Sequence, residues 1–317
     1  MSNQKVVVLN AAKMNYDGLL DFSILSPETI VYDDSAPEEI ISRIQGACAV
    51  VTKELPVPAE MIEQFPDSVK LICEAGTGYN NIDIDAAVKK GITVCNVPAY
   101  SSHRVAHTAV MMMLNLSSTM QTQMKMLAKG DRTNFTEHLQ VPHVELNGKT
   151  LGVVGYGNIG RQVIRVAQAM DMKVLCYTRT RRPDQENLSF VSLDTLLKES
   201  DYVSLHCPLN DKTRHMINEE SLSLMKPSAF LINTSRGGLV DEQALIRALS
   251  EKRIAGAGLD VQEQEPPVDD NPLYDMENVI LTPHMGWKGY ETRLRLVSVI
   301  EKDIKGFFGG NPVNVVS

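Results

Sequence analysis

Two parallel-sheet α/β domains of the doubly wound kind are what this sequence predicts, and three observations carry that expectation. Short β-branched runs alternate with longer helical patterns along most of the chain, the order that parallel sheets require. One of those runs opens into a glycine-rich turn followed by a helix. The length, 317 residues, fits two domains better than one or three. Apolar residues make up 43% and charged residues 22%, an ordinary globular balance with no sign of disorder. Lys and Arg total 31 against 39 Asp and Glu, and the net charge of −8 argues against a nucleic-acid or anionic-membrane partner. No apolar run approaches the roughly 20 residues that cross a bilayer, and Val6-Val7-Val8-Leu9 is too short for a signal peptide. A cytoplasmic protein is expected. The five cysteines (Cys48, Cys73, Cys95, Cys176, Cys207) form no C-x-x-C and read as reduced core thiols rather than disulfides or zinc ligands.

Taken in order, residues 6–9 and 30–32 read as strands, and residues 36–44 as a helix. That helix has Ser35 as its expected cap, Pro37 early and the acids Glu38 and Glu39 in its first turn. A strand at 49–52, a helix at 58–64, a strand at 71–73 and a helix at 82–90 ended by Gly91 follow, then a strand at 92–96. Residues 101–129 form one long helical pattern, and its Met111-Met112-Met113-Leu114 cluster suggests a helix buried on more than one side. Residues 130–147 are loop-like. A second alternation has six apolar strands, at 150–154, 174–177, 202–205, 230–233, 256–259 and 279–281, the number in a six-stranded dinucleotide-binding sheet. Residues 291–308 form an amphipathic terminal helix ending at Gly309-Gly310.

The strand Leu151-Gly152-Val153-Val154 runs into Gly155-Tyr156-Gly157-Asn158-Ile159-Gly160, and residues 161–170 are helical. A bare G-x-G-x-x-G is weak, but strand before and helix after raise it to a dinucleotide site. Gly155 allows the tight turn, Gly157 lets the backbone approach a pyrophosphate and Gly160 lets the helix pack on the strand. The helix N-terminus offers free N–H groups to phosphate. An NAD site places an acid at the end of the second strand, about 20 residues after the glycines. Here that strand is followed by Thr178-Arg179-Thr180-Arg181-Arg182, with no acid and three arginines. A guanidinium binds a 2′-phosphate that a carboxylate would repel, so NADP(H) is favoured and NAD(H) is kept as the alternative.

Three further segments follow strands: Asn233-Thr234-Ser235-Arg236-Gly237-Gly238, then Gly258-Leu259-Asp260-Val261 leading to Glu265-Pro266, and Thr282-Pro283-His284-Met285-Gly286-Trp287. Open α/β sheets bind ligands at the carboxyl ends of their strands, where an Arg, a Glu and a His from three loops can converge. With Ala75-Gly76-Thr77-Gly78-Tyr79-Asn80-Asn81-Ile82-Asp83, Asn96-Val97-Pro98-Ala99-Tyr100 and His206-Cys207-Pro208-Leu209, these segments resemble the D-isomer-specific 2-hydroxyacid dehydrogenase family over nearly the whole chain. Trp287, with Arg293 and Arg295 beyond it, looks most like the glycerate dehydrogenase/hydroxypyruvate reductase branch. Lys288-Gly289-Tyr290 and His107-Thr108 depart from the family pattern and bear on the acyl pocket.

The resemblance implies Rossmann-like domains: a flavodoxin-like substrate domain at 1–100, completed by 288–317, and an NAD(P)-binding domain at 101–287, with hinges near 100 and 287. It implies reversible reduction of a small 2-oxoacid, of the hydroxypyruvate or glyoxylate type, to the D-2-hydroxyacid. His284 becomes the acid/base, Glu265 its orienting partner, and Arg236 the carboxylate clamp. The chemistry is coherent, because Arg offers a fork of donors to a carboxylate and a developing alkoxide needs a proton. A His paired with Glu is held in one orientation, with its pKa raised so that it donates. Asn158 and Ile159 then lie against the pyrophosphate, Cys207, Thr234 and Ser235 line the nicotinamide, and Tyr156, Thr178, Arg179, Arg181, Pro208, Thr213 and Gly286 complete the coenzyme contacts. Asp260 matches the residue that holds the nicotinamide carboxamide, with loop capping as its alternative role. Thr77, Gly78 and Trp287 fall to the substrate. A homodimer formed through the coenzyme domain is expected, with no metal. The rival readings are a dinucleotide-sensing, corepressor-like binding protein and, among enzymes, a D-3-phosphoglycerate or D-lactate type dehydrogenase.

Overall fold

The computed structural model describes residues 4–180 and 182–317. They form two compact units, one running up to Ser101 and resuming over Lys288–Ser317, the other Ser102–Trp287. In the first unit β1 (Val6–Val8), β2 (Thr29–Val31), β3 (Ala49–Thr52), β4 (Leu71–Glu74) and β5 (Thr93–Cys95) pair in parallel in the order β2-β1-β3-β4-β5. This is the flavodoxin-like order, in which the topology switches direction between β1 and β3. Every residue of β1, β3 and β4 is buried, as expected for parallel strands covered on both faces.

The crossovers carry α1 (Pro37–Arg43), α2 (Ala59–Glu63) and α3 (Ile84–Lys90). Ser35 does not cap α1. Its hydroxyl donates to Leu9 O, and the Glu39 carboxylate instead accepts from the Ala36 N–H at 2.9 Å. The α3 ends follow ordinary capping chemistry: Asp83 accepts from Ala86 N at 2.9 Å, and Gly91 turns left-handed at φ 73°.

The second unit starts with α4 (Ser102–Ser117), α5 (Met120–Ala128) and the short α6 (Thr133–Thr136). The expected single helix over 101–129 is therefore broken. Thr119 adopts φ 48°, and its hydroxyl donates to Pro142 O, so the chain leaves the helical path there. Met112 and Met113 are fully buried against the sheet, whereas Leu114 is 45% exposed.

The sheet contains β6 (Thr150–Val154), β7 (Lys173–Tyr177), β8 (Leu188–Phe190), β9 (Tyr202–Leu205), β10 (Phe230–Asn233), β11 (Gly256–Leu259) and β12 (Val279–Leu281). Its crossover helices are α7 (Asn158–Ala169), α8 (Leu193–Glu199), α9 (Glu219–Leu224) and α10 (Glu242–Ser250). The order is β12-β11-β10-β9-β6-β7-β8, all parallel. The six expected strands become seven. Leu188–Phe190 is three residues long and preceded by a polar turn, too short for a periodic signal, and it is a strand by virtue of its pairing with β7.

The closing helix α11 (Tyr290–Phe308) returns to the first unit and buries Leu296, Val297, Ile300 and Ile304. All five cysteines are free; Cys73, Cys95 and Cys176 are buried, and Cys48 and Cys207 are partly exposed. Among the described residues no helix is long and apolar enough to cross a membrane.

Candidate active site

The turn after β10 is shaped by a buried amide. Asn233 is 1% exposed; its Oδ1 accepts from Ser235 N at 3.0 Å and its Nδ2 donates to Arg236 O at 2.9 Å. Ser235 Oγ donates to Leu205 O at 2.7 Å, tying the turn to the neighbouring strand β9. Arg236 is thereby turned outward, with Nη1 donating to Ser235 O at 2.8 Å. The next residue has to be glycine, since a Cβ on Gly237 would stand 1.8 Å from Gln262 O. The Arg236 turn thus lies directly against the loop that leaves β11.

That second loop starts at Asp260, which is 1% exposed. Its carboxylate accepts from Thr282 Oγ1 at 2.5 Å, Met285 N at 2.8 Å and Gly286 N at 2.8 Å, fastening the segment after β12 to the end of β11. The geometry therefore gives Asp260 the loop-capping role. Three of about four carboxylate acceptor positions are used, so a nicotinamide carboxamide would have to share what is left.

Held by this cap, His284 takes the left-handed φ of 48° and its N–H donates to Thr282 O at 2.9 Å. Its Nδ1 meets Glu265 Oε2 at 2.7 Å, and the other oxygen, Oε1, accepts from Gln262 N at 3.1 Å. Burial pushes the Glu265 carboxyl up. The hydrogen bond and charge of His284, the Gln262 N–H and the Arg236 guanidinium outweigh it and hold the carboxyl below the usual range. Glu265 is thus ionised near neutral pH, and its natural partner is an Nδ1–H donor. Arginine, carboxylate and imidazole, carried by the loops after β10, β11 and β12, meet at one end of the sheet.

Of the other histidines, His206 is excluded as an acid. It is buried beside Ser204 Oγ (2.8 Å from Nε2), and burial pushes its pKa down to about 3. A second His–Glu pair, His215 Nε2 to Glu263 Oε1 at 2.6 Å, is one that sequence reasoning missed. So is the anchoring role of Asn233. Both act on backbone turns, and no motif spacing marks them.

The glycine loop fits a dinucleotide. Gly155 sits at φ 109°, where a Cβ would be 2.5 Å from His206 O, and Gly157 has open space where a Cβ would stand. Asn158, Ile159 and Gly160 open the first turn of the twelve-residue α7, where peptide N–H groups lack intrahelical acceptors. The Tyr156 ring packs edge-on against Phe190, with the Arg182 guanidinium 5.4 Å from its centroid. Thr178 and Arg179 follow the end of β7; Arg181 lies outside the described residues.

At the ends of β9 and β10, Thr213 Oγ1 donates to Pro208 O at 2.7 Å, and the Cys207 thiol is pushed up to about 11 by burial. Thr234 Oγ1 is buried without a hydrogen-bond partner among the described residues, an orphan that a bound polar ligand would satisfy. Trp287, after the His284 loop, is 8% exposed. In the first unit, Thr77 and Gly78 form the loop after β4. Thr77 Oγ1 donates to Val97 O at 3.0 Å, and Asn96 Nδ2 donates to Thr77 O at 2.7 Å.

Comparison with known proteins gives consistent results. The model for the NAD binding domain of D-isomer specific 2-hydroxyacid dehydrogenases matches residues 110–286. A hydroxypyruvate reductase of Blautia hydrogenotrophica is 38% identical over 322 residues, covering 99% of each chain. A glycerate dehydrogenase of Methylorubrum extorquens is 40% identical over 88% of each chain. Among solved structures, D-lactate dehydrogenase with NAD+ from Lactobacillus jensenii superposes with a TM-score of 0.86 at 32% identity, covering 99% of this chain and 100% of that one.

Proposed function

The chain belongs to the D-isomer specific 2-hydroxyacid dehydrogenase family of oxidoreductases, and from that premise we propose that it reduces hydroxypyruvate to its D-2-hydroxyacid, or glyoxylate to the achiral 2-hydroxyacid, reversibly, with a nicotinamide coenzyme. The observation that carries the chemistry is the His284–Glu265 hydrogen bond of 2.7 Å, with the Glu265 loop packed against the Arg236 turn. The names of the relatives support the substrate class.

Arg236 takes the substrate carboxylate, because a guanidinium fork binds it in two places and leaves the neighbouring carbonyl in a fixed orientation. With Nδ1–H engaged by Glu265, Nε2 is the nitrogen through which His284 gives a proton to the carbonyl oxygen in reduction and takes it back in oxidation. The Glu265 carboxylate stabilises the imidazolium and holds its orientation. When bound, the reduced nicotinamide supplies the hydride equivalent. The residues proposed to hold the coenzyme are Gly155–Gly160 and Thr234 at the sheet, Ser235 and Cys207 beside it, and Thr178 and Arg179 at the adenosine end. Their arginine-rich, acid-free turn favours NADP(H) over NAD(H).

The second unit is accordingly the coenzyme domain, and Thr77, Gly78 and Trp287 are proposed as further substrate residues. A cytoplasmic homodimer completes the reading. Leu114, Met120, Met124, Leu127, Phe135 and Leu139 leave apolar side chains exposed along one segment of the coenzyme unit, as a subunit interface would.

The test is initial-rate reduction of hydroxypyruvate, glyoxylate, pyruvate and phenylpyruvate, each with NADPH and with NADH. Fast oxidation of NADPH with hydroxypyruvate or glyoxylate is expected. Tight coenzyme binding without turnover of any of the four acids would move the reading to a dinucleotide-sensing protein.

A further inference from the structure

One residue outside the acid/base and carboxylate set touches both of the loops that carry it. His215 lies in the connection between β9 and α9. Its peptide N–H donates to Gly238 O at 2.8 Å, two residues past Arg236. Its imidazole Nε2 meets Glu263 Oε1 at 2.6 Å, two residues before Glu265. The backbone at His215 takes φ 48°, which sends the peptide toward one loop while the ring reaches the other.

Both ends of this tie are anchored. On the Arg236 side, the chain after His215 runs alongside the segment after Gly238: Ile217 N donates to Leu239 O at 3.0 Å and Asp241 N to Ile217 O at 2.8 Å. On the Glu265 side, Glu263 N donates to Glu242 Oε2 at 3.2 Å, and the other Glu242 oxygen accepts from Asn271 Nδ2 at 2.8 Å. The loop bearing Glu265 is thus gripped by α10 through its backbone and by His215 through a side chain. The His215–Glu263 pair is more than a third exposed on both sides, so it adds little to global stability. What it does is bridge two loops that come from different strands.

Resting on the dehydrogenase reading above, we propose that His215, acting through Glu263, is a positioning residue that holds the Glu265 loop in register with the Arg236 turn. Glu265 orients His284, so a small loss of register reaches the proton-transfer atom without any change in the residues that exchange the proton. Misplacement by about 1 Å at a distance is known to cost roughly a hundredfold in rate, and a partly held loop falls short of that.

The test uses the full-length protein with hydroxypyruvate and NADPH. His215→Asn is the variant of choice, because Asn tolerates φ above zero and keeps the backbone N–H hydrogen bond to Gly238 O while its short side chain gives up Glu263. Glu263→Ala removes the same contact from the other side, and Glu263→Gln keeps an acceptor oxygen for the imidazole. His215→Asn and Glu263→Ala are each expected to lower kcat about tenfold, with Glu263→Gln within about twofold of wild type and NADPH Kd, read by fluorescence titration, within about twofold throughout. In a Glu265→Gln background, His215→Asn is expected to cost less than about twofold, since its route to His284 is already cut. Full kcat in His215→Asn, or the same tenfold loss in both backgrounds, overturns the positioning role while leaving the dehydrogenase reading standing. A wild-type protein that turns over none of the 2-oxoacids removes both.

Discussion

Glu265 shows how two opposing effects settle at one carboxylate. Burial alone would raise its pKa and favour the protonated form, a poorer acceptor for an imidazole N–H. The Gln262 peptide, His284 and the charge of Arg236 reverse that outcome. The carboxylate is therefore available to stabilise an imidazolium, and its contribution to the folded state is complete above the ordinary value of 4.5 and fades as pH falls through its lowered value. His284→Ala removes the proposed proton donor while leaving the glycine loop and its helix intact. A fall in kcat of about 10²- to 10⁴-fold is expected, with NADPH affinity nearly unchanged. Stopped-flow turnover and a fluorescence titration on the same preparation separate the two, and a large loss of coenzyme binding would count against the assigned role. These residue types were legible from the sequence, because arginine, glutamate and histidine each follow a strand. The Asn233 and Asp260 anchors depend on which peptide groups the turns bring within reach.

Among the elements, α11 carries the clearest cost. Asp303 is fully buried on it, with Oδ1 accepting from Asn314 Nδ2 at 2.7 Å and Oδ2 buried without a partner among the described residues. Burial pushes its carboxyl from 3.8 up to about 6. A carboxyl raised in the folded state binds its proton more tightly there than in the unfolded chain. Its penalty therefore begins near pH 3.8, grows as pH rises and is complete above about pH 6. A rise of that size corresponds to a penalty on the order of 3 kcal/mol. Asp303→Asn keeps the acceptor for Asn314 and removes the titration, so its thermal midpoint should exceed that of wild type at pH 8 and converge on it near pH 4. A constant difference across that range would show that the buried charge is not the cause. The same helix holds Arg293, 2% exposed, against Asp17 and against the carbonyls of Met14 and Lys288. Its amphipathic spacing announces a helix but not which loop a buried arginine grips.

At the scale of the whole molecule, the exposed apolar segment of the second unit is the surface that the proposed homodimer would cover. Phe135 is 76% exposed and Met124 64%, unusual values for side chains of that size. The same region borders a cavity of about 560 Å³ lined in part by Leu116, Val141, Pro142, Val144, Tyr202 and Phe230. That cavity lies at the amino ends of the strands, away from Arg236 and His284. Sedimentation velocity should give twice the chain mass for the wild type, and Phe135→Asp should shift it toward the single-chain mass. A monomeric wild type at micromolar concentration would remove the dimer from the reading.

The parallel α/β class, the glycine loop on its strand and helix, and the strand-end arginine, glutamate and histidine were all present in the amino-acid order. Hydrophobic period and the special conformations of glycine are local, and a local pattern needs no partner to be read. Only the tertiary structure decided that Thr119 breaks the long helix, that Glu39 rather than Ser35 serves the start of α1 and that a seventh strand extends the sheet. It also decided that Asp260 fastens the loop of His284, and that His215 reaches both the Arg236 and the Glu265 loops. Each of these turns on a hydrogen bond whose donor and acceptor are brought together by the fold, and spacing along the chain does not encode that proximity.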